Sequence, residues 1–170
     1  LEGQRHPTTG RERRVNNWNP WIISNWLTAA LILEESDNRR VEHVEKAIRS
    51  LDRFIDPYPD DGGCDEGPSY WGRAGASLFD CLELLWSATN GAIDVYSDQK
   101  IREIGRFVFK AQIADQYFVN FADASALVLP SASITYLYGK RIGDDDLMDL
   151  GAWSAEQRRQ GENWSLDSVG

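Results

Sequence analysis

NPWIISNWLTAALILEE, residues 19–35, is the stretch on which the fold turns. Asn19 reads as a helix cap and Pro20 as the first helical residue, where its missing N–H costs nothing. Trp21, Ile22, Ile23, Trp26, Leu27, Ala30, Leu31, Ile32 and Leu33 then leave little polar surface. A helix apolar nearly all round is expected to be surrounded by protein. Its successor differs. Residues 38–55 place Val41, Val44, Ile48, Leu51 and Ile55 on one stripe, with Arg40, Glu42, Glu45, Lys46, Arg49 and Arg53 over the rest, and Pro57 closes the segment. That pattern predicts a half-exposed helix.

The same alternation follows twice more. Residues 68–89 begin with Pro68, run apolar through Leu78, Phe79, Leu82, Leu84, Leu85 and Trp86, and stop at Asn90-Gly91. Residues 98–113 carry Ile101, Ile104, Phe107, Val108 and Ala111 on one face and charge elsewhere. A weaker third pair joins apolar residues 124–139, which Pro130 is expected to kink or divide, to polar residues 144–160 with Leu147, Leu150 and Trp153 inside. Three buried helices alternating with three amphipathic ones predict an all-α fold of helical hairpins, a partial α/α toroid or solenoid arc, without a substantial β-sheet. The expected organisation is a polar leader over 1–15, a helical domain over 16–160 and a C-terminal tail over 161–170.

Composition narrows the function classes. The chain has 170 residues, is 42% hydrophobic and carries a net charge of −9 with a pI near 4.7. It is long enough for one domain with a real core, and its field repels polyanions, which argues against nucleic acid or an anionic membrane as partner. Asn19, Ser24, Asn25, Thr28 and Glu34 interrupt the most apolar segment, so no membrane span is expected. The opening LEGQRHPTTGRERR shows no signal-peptide pattern, and a start on Leu1 reads as a fragment or processed product, leaving location open. Cys64 and Cys81 form neither a disulfide framework nor a metal pattern and read as packing residues; His6 and His43 read as surface residues. No metal or cofactor is expected.

Short connections make the hairpins antiparallel, so the starts of the inner helices should share one rim. The segments there are VNNWNPW (15–21), DGGCDEGPSYW (61–71) and NFADASA (120–126), each joining hydrogen-bonding side chains to aromatics. A common cleft follows, and helix N-termini in it favour anionic groups. Local explanations stand beside this one. Asn16, Asn17 and Asn19 can be caps, Gly62 and Gly63 can serve a turn, and Asp65 or Glu66 can be first-turn charges. Trp18, Trp21 and Trp71 suit either a core or platforms that stack on sugar rings. Tyr70, in the first turn of an inner helix, is placed to face the cleft.

NNWNPW followed by an apolar helix, then DGGCDEGPSYW leading into GRAGASLFDCLELL, resembles the heparinase II/III-like polysaccharide lyases over roughly residues 13–155. The resemblance implies an incomplete α/α toroid followed by a large antiparallel β domain of the same protein, with an acidic polysaccharide in the cleft between them. It also implies an extracellular or periplasmic location. Such enzymes cleave a uronic-acid glycoside by β-elimination: a base removes the C5 proton, O4 leaves with a proton, and a C4–C5 double bond forms. A donor must neutralise the substrate carboxylate, so that charge developing on it is stabilised. Asn16 or Asn17 matches the family's neutralising Asn or His. Tyr70 matches its proton-transferring tyrosine, whose proton needs a route out. Glu66 and Trp71 would flank the substrate, with Trp18 and Trp21 as platforms, Arg73 approaching an anionic group and Asp123 at the third rim segment.

The chain departs from the family in having no histidine near Tyr70 or in the first motif, and it stops before the β domain that the resemblance implies, so the isolated chain is expected not to turn over substrate. Two other readings use the same residues. An α/α-barrel glycoside hydrolase or unsaturated glucuronyl hydrolase would pair Asp65 or Glu66 with Asp123. A noncatalytic carbohydrate-binding module would keep only the aromatics.

Overall fold

A computed structural model describes residues 15–167. Its elements are α1 (Trp18–Leu33), α2 (Asp37–Ile55), a 3₁₀ turn (Pro68–Gly72), α3 (Gly75–Ala88), α4 (Gln99–Lys110), β1 (Gln112–Ala114), β2 (Tyr117–Phe118), α5 (Ala132–Ile142) and α6 (Asp145–Asp167). The class is all-α, and the only sheet among the described residues is the short antiparallel β1–β2 hairpin. The leader residues 1–14, His6 among them, and residues 168–170 lie outside the described residues. Val15, placed in the leader by sequence, packs against the core, and α6 continues to Asp167 through most of the expected tail.

The expected alternation of helix types is present, with three changes. α1 is covered by α2 and α3, where Ile23, Leu27 and Ala30 are buried, but its other flank leaves Ile22, Ile32 and Leu33 exposed. An apolar circumference therefore did not mean a surrounded helix. Residues 68–89 are not continuous. The 3₁₀ turn ends at Gly72, Ala74 leaves helical geometry, and α3 starts at Gly75, where the Trp71 indole occupies the space a Cβ would need. Residues 124–131 are not helical. Tyr117 bridges Leu127, the Phe118 N–H donates to the Ala126 carbonyl (2.9 Å), and the Val128 N–H donates to the Gln116 carbonyl (2.9 Å). Pro130 disfavours helix at Leu129, and so α5 begins beyond it.

The outer helices are capped as their sequences allow. Ser36 accepts from the Arg39 N–H ahead of α2, Asp98 accepts from the Lys100 and Ile101 N–H groups ahead of α4, and Asp144 accepts from the Leu147 N–H at the start of α6. Asn19 is not the cap of α1. It is buried and donates to Ser50 Oγ on α2 (3.0 Å), tying the first hairpin together. The core that joins α3, α4 and α5 is aromatic. Tyr138 lies 4.9 Å from Phe79 and 6.3 Å from Trp71 between ring centroids, and its hydroxyl donates to the Ile101 carbonyl (2.9 Å).

Candidate functional site

The connection between α2 and α3 is pinned at several points to elements distant in sequence. Gly67 has φ +89°, and a Cβ there would collide with Ala124 Cβ and the Phe121 carbonyl. The Ser125 N–H donates to Ser69 Oγ (3.2 Å). The 120–126 segment thus reaches the same rim as 61–71 although it starts no helix. Gly67→Ala is expected to lose at least about 2 kcal/mol of stability, combining backbone strain with overpacking. Urea denaturation measures it, and a loss below about 0.5 kcal/mol would show that the two segments separate freely.

At this rim the start of α1 meets the residues leading into α3. Asn17, Trp18, Trp21, Glu66, Tyr70 and Arg73 line a pocket of about 170 Å³. Its floor is polar. Asn17 is only 3% exposed, and its amide donates to Glu66 Oε1 (2.9 Å) and, more weakly, to Cys64 Sγ (3.7 Å). Asn17 Oδ1 is buried and has no donor among the described residues. Burial pushes the Cys64 thiol up, so it stays a neutral acceptor beside the amide near neutral pH. The rim is aromatic and cationic. Trp18 and Trp21 lie 5.1 Å apart between centroids, and the Arg73 guanidinium sits 4.1 Å over the Trp21 ring. Stacking fixes the guanidinium plane and leaves its N–H edges for a planar anion.

Six of the residues singled out by sequence therefore share one pocket, and four do not, among them the exposed Asp65. Asn16 is exposed, and its Oδ1 accepts from the Trp18 N–H (3.2 Å), a local role at the helix start. Trp71 is no platform. It is 1% exposed, and its indole N–H donates to the Ile104 carbonyl (2.8 Å), so no ligand can reach its ring. Asp123 is exposed and does not line the pocket. Cys64 and Cys81 are both buried and free, and Cys81 donates to the Pro20 carbonyl (3.3 Å). His43 is half-buried against Trp26, partly off the surface expected for it. Among the described residues no group of His, Cys, Asp or Glu is placed to hold a metal ion, and no helix is long and apolar enough to cross a membrane.

Sequence reasoning missed the Asn17–Glu66–Cys64 contacts and the Ser69–Ser125 link. Neither has a local pattern, because each joins residues roughly fifty positions apart. Compared with models of known protein families and with curated proteins, the chain matches none.

Proposed function

We propose that this pocket holds one acidic sugar residue of a uronate-containing polysaccharide, and that the chain is the helical part of a lyase-like protein acting by β-elimination. On this reading the helix pairs form an arc of an α/α toroid, and the pocket is one wall of its substrate cleft. The observation that carries the reading is the meeting of Tyr70, Arg73 and the Asn17–Glu66 pair beside two tryptophans in one small pocket.

The contacts redistribute the roles. Elimination needs the substrate carboxylate neutralised, but the Asn17 amide already donates to Glu66 and Cys64. Arg73 forms no ion pair among the described residues and takes the carboxylate, while Trp18 supports the sugar face. Glu66, oriented by Asn17, accepts from sugar hydroxyls. Tyr70 is 37% exposed at the pocket wall, from which its hydroxyl passes the proton between C5 and the leaving O4. A hydrolase would need two carboxylates across one sugar, and among the described residues Glu66 is the only carboxylate lining the pocket.

Calorimetric titration with glucuronate and galacturonate oligosaccharides tests the binding step. Arg73→Ala should weaken affinity about tenfold or more, the amount expected for losing hydrogen bonds to a charged group. Equal affinity of Arg73→Ala and wild type would remove Arg73 from carboxylate recognition. Absence of binding by the wild-type chain would sink the proposal.

A further inference from the structure

The rim pocket holds two opposite charges that do not meet. Arg73 is kept over the Trp21 ring, 4.1 Å from its centroid, and Glu66 is kept by the Asn17 amide at 2.9 Å. Both side chains line the same space of about 170 Å³, yet neither forms an ion pair with the other or with any further described residue. Each has a holding partner of its own, so the gap between cation and carboxylate is built into the pocket and open to a ligand.

The floor asks for donors. Asn17 is 3% exposed, and its amide nitrogen turns to two acceptors, Glu66 Oε1 and Cys64 Sγ. That orientation leaves the oxygen of the same amide, Asn17 Oδ1, buried and without a donor among the described residues. A buried acceptor left unpaired is unfavourable, so a ligand that supplies a donor there gains by it. A hydroxyl brings one hydrogen and an ammonium three, so an ammonium can serve the Glu66 carboxylate and Asn17 Oδ1 together.

The charge balance points the same way. A plain uronate would satisfy Arg73 but carry its own charge into a small pocket that already contains a carboxylate, and at equal distance that repulsion is as large as the attraction to the guanidinium. The chain as a whole, at a net charge of −9, also repels a polyanion. A sugar residue with one negative and one positive group escapes both penalties.

We propose that the pocket takes a zwitterionic sugar, a 2-amino-2-deoxyuronate whose amine is unsubstituted. The proposal rests on the acidic-sugar reading of this pocket and names its substrate class. In a pyranose, C2 lies across the ring from C5, so amine and carboxylate project from opposite edges, which suits a pocket whose cation and carboxylate do not touch. The sugar carboxylate meets the N–H edges of Arg73, the ammonium meets Glu66 and Asn17 Oδ1, and Trp18 covers the ring between them. Acetylation or sulfation of the nitrogen removes the cation and adds bulk to a small pocket, so neither form substitutes for the free amine.

Calorimetric titration of the intact chain at about pH 6, where amines are protonated, tests this with the methyl glycosides of 2-amino-2-deoxyglucuronate, its N-acetyl form, glucuronate and glucosamine, and with L-serine. The aminouronate should bind at least about tenfold tighter than the glucuronate, the gain expected of a charge-assisted pair, and N-acetylation should erase that gain. Serine carries both charges but no ring for Trp18 to cover, and should bind at least about tenfold more weakly than the aminouronate. Glu66→Gln keeps an oxygen for the Asn17 amide and removes the charge. It should invert the order, weakening the aminouronate and strengthening the glucuronate. Equal affinity for the aminouronate and either the glucuronate or the N-acetyl form, or an unchanged order in Glu66→Gln, would overturn the amine site and leave the acidic-sugar reading in place. Glucosamine binding as tightly as the aminouronate would remove the carboxylate and that reading with it, and serine binding as tightly would remove the sugar. Silence with every probe would end both.

Discussion

Trp71→Ala is expected to destabilise the fold by about 3–5 kcal/mol, the range for truncating a large buried aromatic. The ring is 1% exposed, stacks on Tyr138 and fills the space left by Gly75 at the start of α3. Its removal opens a cavity where three helices meet and takes the indole donor from the Ile104 carbonyl, which keeps its helical partner, a further loss of about 1 kcal/mol that overlaps the first. Trp71→Phe separates the two effects. It keeps most of the ring but not the N–H, and should cost roughly 1–2 kcal/mol plus a smaller packing loss. Urea denaturation of both variants reads the difference. If Trp71→Ala kept its stability but lost sugar binding, Trp71 would be a platform and the core described above would be wrong.

The contrast between Trp71 and its neighbour shows what could be read from the sequence. The alternation of all-apolar and one-sided helices led correctly to an all-α chain because hydrophobic periodicity over long segments reports which face is covered. It failed where the covering depends on the rest of the fold. Nothing in α1 says that Ile32 and Leu33 face away from α2 and α3, and nothing local to residues 124–131 says that β2 will pair with them. The pocket was largely legible, since Asn17, Trp18 and Trp21 lie within one turn of a helix start, as do Tyr70 and Arg73 around the short 3₁₀ turn. Assigning each residue a side was not possible. Tyr70 and Trp71 are consecutive, and only the turn of the 3₁₀ segment directs one ring to the pocket and the other to the core. The same limit applies to Asn16 and Asn17: the first is exposed beside the helix start, the second is buried against Glu66.

Tyr70→Phe is the substitution with the largest expected effect on chemistry. Under the proposed elimination, the phenol carries the proton whose transfer accompanies departure of O4, and removing such a group lowers rates on the order of 10²–10⁴-fold. The fold should hardly notice. The ring stays, and the hydroxyl makes no hydrogen bond to another described residue, so the stability change should remain within about 0.5 kcal/mol. Affinity for a uronate oligosaccharide should also stay nearly unchanged, because carboxylate recognition falls to Arg73 and stacking to Trp18. The signature is therefore a loss in kcat with little change in binding, which a merely structural tyrosine would not produce. The assay belongs in the full-length protein, following the ultraviolet absorbance of the conjugated uronate that elimination leaves and hydrolysis does not. A variant that eliminates at the wild-type rate would remove Tyr70 from the mechanism. A wild-type protein that binds uronate oligosaccharides yet never generates the absorbance would replace the lyase with a carbohydrate-binding module built on the same pocket.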